Sequence, residues 1–178
     1  MDDATGAIYS AFLVEEAGTA STSRVLKEVF GVHGLPMSFY TDRGSHSFHT
    51  TKAGEIDRGH PTQVGRALAQ LGVERAYRGF FPQAPGKGSA FTPIPGVDLD
   101  EILCVEEERQ VGNDNCVSYR TLKLQIPESP MRPHFVKARV KVHVYPDGSH
   151  AVFHGPRCIG RYDANGALKE GHDARYAA

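Results

Sequence analysis

The stretch "PQAPGKGSAFTPIPG", residues 82 to 96, holds four prolines and three glycines, a density that the interior of a helix or strand does not tolerate. It reads as a linker and divides the 178 residues into two parts of different character. Each part is short enough to bury only a modest core and to be marginal by itself.

Before the linker, strand-like and helix-like patterns alternate. "GAIYSAFLV" (6 to 14) reads as a buried strand after the turn-like "DDATG". "STSRVLKEVFGVHG" predicts a helix, with hydroxyl residues suited to an N-cap, Val25, Leu26, Val29 and Phe30 at helical spacing, and Gly34 as the stop. "LPMSFYT" (35 to 41) predicts a second strand with Pro36 near its start, and "PTQVGRALAQLG" (61 to 72) a second helix. "VERAYRGFF" predicts a third strand. Strands alternating with helices imply βαβ units and a parallel sheet.

After the linker the pattern changes to short strands separated by turn signals. "ILCVEEERQV" and "CVSYRTLKLQI" flank "GNDN", "VKARVKVHVY" and "HAVFHG" flank "PDGS", and "RCIGRYD" precedes "ANG". This spacing predicts a small antiparallel barrel, and the fold class of the whole is α+β.

Forty per cent hydrophobic and 23% charged residues fit a globular protein. The formal net charge of −1 means that affinity for nucleic acid must come from a local patch. Cys104, Cys116 and Cys158 form no Cys-x-x-Cys pair and read as thiols in a reducing compartment. "MDDATG" has neither the basic nor the apolar region of a signal peptide, and no apolar run approaches membrane-spanning length. The expected location is the cytoplasm, with no membrane partner.

"FYTDRGSH" places Asp42 at the carboxyl end of a predicted parallel strand, where α/β folds leave a ligand-binding crevice. An Asp followed by Arg-Gly is equally a turn or helix cap. His46, His49 and His60 lie nearby, and His46-x-x-His49 could ligate a metal, although polar loop histidines are the simpler reading. Glu55, Asp57, Asp98, Asp100 and Glu101 read as solvated acids or turn caps.

The strings "GLPMSFYTDRGSHSFHT", "PTQVGRALAQLGVERAY" and "FFPQAPG", in that order, closely resemble the catalytic core of integrase-type transposases, most specifically those labelled ISNCY. These belong to the DDE group, with a ribonuclease H-like fold. The segments "VDLDEILCVEEERQVGNDNCVSYRTLKLQI" and "HFVKARVKVHVYPDGSHAVFHGPRCIGRYD" resemble the C-terminal β-barrel region of the same proteins. The resemblance implies a partial ribonuclease H-like catalytic core over 1–81, the linker 82–96, a small SH3-like barrel over 97–165 and a tail over 166–178. It also implies DNA transposition as the family's reaction.

In that family the acid of the "TDRGSH" string is the second of an Asp, Asp, Glu set, which implies a catalytic, metal-binding role for Asp42. Strand cleavage and joining use two divalent ions, Mg2+ or Mn2+, roughly 4 Å apart, so several carboxylates must converge. The pattern departs at the other two positions. "DDAT" looks like the turn before the family's third strand, so Asp2 and Asp3 do not match the first acid, which would precede Met1. The Glu normally follows "PQA", but here "PQAPG" runs straight into "KGSAFTPIPG". The resemblance therefore implies an inactive, truncated and internally deleted member that holds no metal stably. Of a sheet with strand order 3-2-1-4-5, only strands 3, 4 and 5 would remain, with exposed edges that invite pairing with another chain.

"FVKARVKVHVY" carries the clearest signal outside that resemblance. Strand alternation puts Val136, Ala138, Val140, Val142 and Val144 on one face and Lys137, Arg139, Lys141 and His143 on the other. Basic groups recurring every 6.7 Å or so can track a phosphate backbone, although lysines also protect sheet edges. Arg43, Lys52, Arg58 and Arg66 are weaker candidates near Asp42. The expected partner is DNA, with transposon ends as the family's target. Pairing with a full-length transposase, and inhibiting it, is the alternative.

Overall fold

A computed structural model describes residues 1–2, 5–41, 44–50, 55–57, 59–77, 90–128 and 132–169. The chain divides into two compact units, Met1–Cys104 and Val105–Ala178, the division falling after the Pro/Gly segment rather than within it.

In the first unit, α1 (Thr19–His33) starts where Ser21 Oγ accepts the Gly18 N–H at 2.9 Å. It stops at Gly34, whose φ of 95° and N–H to Phe30 O bond turn the chain out of the helix. Leu26 and Phe30, one turn apart, are its buried anchors. The predicted strand 35–41 is two short ones, β1 (Leu35–Pro36) and β2 (Ser38–Thr41), interrupted at Met37, which is 85% exposed. Helix α2 (Gln63–Gln70) is capped by Thr62, whose Oγ1 accepts the Gly65 N–H at 3.1 Å, and it buries Val64, Ala67 and Leu68. It leads to β3 (Glu74–Tyr77), which pairs with β2 in parallel from Ser38↔Glu74 to Thr41↔Tyr77. This is the expected βαβ unit. β4 (Phe91–Thr92) pairs antiparallel with β1, and α3 (Leu99–Ile102) is capped by Asp98, whose carboxylate accepts the Asp100 N–H. The core joins Leu26, Phe30, Val64, Ala67, Leu68, Val73 and Leu103.

The expected strand 6–14 does not form. The segment lies outside every sheet, and Ile8 is 70% exposed. Apolar, β-favouring composition makes a strand only where a neighbouring strand supplies the ladder, and among the described residues the parallel sheet contains β2 and β3 alone.

The second unit contains β5 (Val105–Gln110), β6 (Cys116–Tyr119), β7 (Leu122–Gln125), β8 (Arg139–Val144), β9 (His150–His154) and β10 (Arg157–Tyr162). Four of these form an antiparallel sheet in the order β10-β9-β8-β5, while β6 and β7 form a separate hairpin. Sheet and hairpin share a core of Val111, Val117, Tyr119, Leu124, Ile126, Phe135, Val140, Val142, Val152, Ile159 and Tyr162. Tyr162, fully buried, donates its hydroxyl to Gln125 O at 2.8 Å and so ties β10 to β7. Two expectations change here. "CVSYRTLKLQI" is a hairpin rather than one strand, because Arg120 takes a φ of 50° and turns the chain without the usual Gly or Asn. The sheet is also not a closed barrel: among the described residues β5 and β10 are its two edges.

Among the described residues, no helix is long and apolar enough to cross a membrane.

Candidate nucleic-acid interface

The alternation in "VKARVKVHVY" holds over the core of β8. Arg139 and Lys141 are exposed while Val140 and Val142 are buried. Asn115 fixes how the chain enters this strand, since its side chain accepts the Phe135 N–H at 2.7 Å and donates to Ile126 O at 3.1 Å. Lys137 sits before the strand with a φ of 62°, its N–H bonded to Val111 O at 3.0 Å, so it is exposed but out of the strand's alternation.

His143 departs from the expectation. It is on the same face as Arg139 and Lys141, yet only 7% exposed, stacked on Phe153 with ring centroids 4.3 Å apart. A buried ring in that position packs against the sheet and does not meet solvent as part of a cationic stripe.

The neighbouring strand changes the electrostatics further. β5 pairs with β8 so that Glu106 stands opposite His143, Glu108 opposite Lys141 and Gln110 opposite Arg139. Lys141 Nζ reaches Glu106 Oε2 at 2.9 Å, and His143 Nε2 stands 3.7 Å from Glu106 Oε1. A shallow groove on this face is lined by Glu108, Arg139, Lys141, Phe153 and Gly155. Two cations and two carboxylates therefore share the surface, which is amphoteric rather than basic. Phe153, at 8% exposure, offers no free ring on which a base could stack.

The sequence reading missed Glu106 and Glu108. "VEEERQV" is polar from Glu106 to Gln110 and so has no apolar alternation of its own to assign its faces, and β5 and β8 are separated in the chain by the β6–β7 hairpin. No turn fixes their register locally, so the pairing of acids with bases was not legible.

Asp42 and Arg43 lie outside the described residues, as do Lys52 and Arg58. Ser47 and Phe48, in the described stretch 44–50, are anchored. Arg75 of β3 donates to Ser47 O and, at 3.2 Å, to Thr62 Oγ1, with its guanidinium 4.2 Å above the Phe48 ring. Thr62 Oγ1 also donates to Ser47 O at 3.1 Å. A Cβ at Gly65 would lie 2.2 Å from Arg75 Nη1, so a side chain there would displace the guanidinium. Arg66 is likewise structural, donating to Ile102 O at 3.0 Å and Cys104 O at 2.7 Å.

Asp57, Asp98 and Asp100 have local partners, Asp98 through the Asp100 N–H. Asp57 bonds His60 Nδ1 at 3.0 Å and accepts the Gly59 N–H, and the His60 bond leads in holding its carboxyl below the usual range. Asp100 pairs with Lys27. Among the described residues, no three carboxylates bring oxygen atoms within 4.8 Å of one another.

No protein-family model matches the chain. The chain is similar to a curated protein of Sinorhizobium fredii named "Putative transposase y4bF", at 23% identity over 198 aligned positions that take in 83% of this chain and 43% of that protein. It thus spans less than half the length of that relative. This distant relationship supports a transposase family for the chain, and it covers a larger share of the chain than either compact unit does alone.

Proposed function

We propose that the chain is a DDE-type transposase derivative of the ISNCY kind that binds DNA through its C-terminal β unit and does not carry out strand transfer by itself. The observation that carries this reading is the similarity to a transposase running through both units. In this reading the β2–α2–β3 unit derives from a ribonuclease H-like core, and the four-stranded sheet with its hairpin derives from an SH3-like barrel. Asp42 descends from a metal ligand whose two partners have no counterpart in these residues. Arg139 and Lys141 supply the phosphate contacts, with Lys137 as a flanking cation and His143 as packing beneath them; Arg43 is a separate candidate in the first unit.

A salt-titrated binding assay on duplex DNA tests this reading. Binding is expected to weaken as salt rises, in proportion to the phosphates contacted, and to be lost when Lys137, Arg139 and Lys141 are replaced by Ala. Absence of binding at low salt would overturn it. The claim of inactivity has its own test: cleavage of transposon-end DNA with Mg2+ or Mn2+, abolished by Asp42→Asn, would refute it.

A second reading is favoured by the parallel pair β2–β3, since two strands make a poor sheet by themselves. In that reading the first unit pairs with a full-length transposase and inhibits it. Transposition assays with and without the chain distinguish the two, because inhibition that survives loss of DNA binding supports pairing.

A further inference from the structure

The face that presents Arg139 and Lys141 also presents their competitors. A carboxylate and a DNA phosphate seek the same ammonium and guanidinium groups, and here Glu106 already holds Lys141 at 2.9 Å while Glu108 stands in register across from it and lines the same groove as Arg139. Resting on the reading of this face as a DNA-binding surface, we propose that the acidic row of β5 regulates it. Glu106 and Glu108 act as built-in phosphate mimics, and DNA gains Lys141 and Arg139 only by displacing them.

The geometry separates the two acids. Glu106, its side chain 11% exposed, is held between Lys141 and His143 and keeps the Lys141 ammonium drawn toward β5. Glu108 is exposed and competes with an approaching phosphate for Lys141, which it faces across the strands, and for Arg139, which lines the same groove. The ordinary alternative is that these pairs only stabilise the sheet, as opposite charges on adjacent strands do. In that case removing the acids changes stability and leaves DNA affinity as it was.

The experiment uses the full chain and a random-sequence DNA duplex, with binding read by fluorescence polarisation across a salt series. Glu108→Gln and Glu106→Gln are compared in two backgrounds, the natural one and Arg139→Ala/Lys141→Ala. Removing one nearby carboxylate is expected to raise affinity about five-fold at low salt, the effect of one charge roughly 4 Å away in water. The rise is expected to vanish when Arg139 and Lys141 are Ala. Binding that depends on Arg139 and Lys141 but does not rise in the Gln variants overturns the regulation and leaves the face as a DNA site. An equal rise in both backgrounds is a net-charge effect and also overturns it. Binding indifferent to Arg139 and Lys141 overturns the underlying reading of the face. Glu108→Gln, on an exposed residue, decides the matter by itself if the Glu106 variant loses its fold.

Discussion

The two units bury comparable sets of apolar side chains in different ways. The second packs a continuous antiparallel sheet against a hairpin, so every strand of that sheet is covered on one face and paired on at least one edge. The first packs helices against a two-stranded parallel pair, with the apolar segment 6–14 outside any sheet. Composition does not separate them, since both contain enough valine, leucine and phenylalanine. The difference lies in whether backbone groups find neighbours. An extended apolar segment with no adjacent strand gains neither a ladder nor a covered face.

The comparison predicts that the first unit opens more readily. The largest effect is expected from Phe30→Ala, which empties a core position at 2% exposure and costs about 3–5 kcal/mol. Amide hydrogen exchange should show protection lost across α1, α2, β2 and β3 while β5 to β10 keep theirs. Equal loss in both units would mean that they unfold as one, and the contrast would fail.

A smaller effect is expected from Gly34→Ala. Its φ of 95° is unfavourable for any side chain, and a Cβ would lie 2.5 Å from Thr92 O, forcing β4 from β1. A cost of order 1–3 kcal/mol follows from holding a non-glycine residue in that region. Denaturant melts should show the first transition moving and the second unchanged.

The smallest effect is expected in the second unit, from Tyr162→Phe, which leaves the Gln125 carbonyl unpaired at about 1 kcal/mol. The same residue gives the unit a pH signature. Burial, as the leading cause, pushes the Tyr162 phenol well above its ordinary 10.0, so the folded state keeps a proton that the unfolded state releases. The associated stability is fully present below pH 10.0 and is lost as pH rises through the higher folded value. Urea midpoints of the second unit should fall above pH 10 or so, and fall less steeply in Tyr162→Phe. Some slope should persist, because burial also raises Tyr119. An unchanged slope would show that Tyr162 is not a source of the alkaline loss.

Much of the local structure was legible in the residues. Leu26 and Phe30 with Gly34, and "PTQVGRALAQLG" with its leading proline, announced two helices, and both form. Arg139 and Lys141 announced an exposed pair on a strand. The turn at Arg120 did not announce itself, because arginine has no special preference for a positive φ and tertiary packing imposes it. His143 was misread because alternation assigns a side to each residue, while Phe153 on the adjacent strand decides whether that side is open.

The sequence by itself determined helices α1 and α2 and the alternation from Arg139 to Val142 in β8, because those depend on neighbours within a few positions. Only the tertiary structure decided that segment 6–14 stays outside the sheet and that Lys141 meets Glu106. It also decided that a seemingly basic stripe is half acidic. Strand pairing joins residues far apart in the chain, and which carboxylate faces which lysine follows from register across that distance.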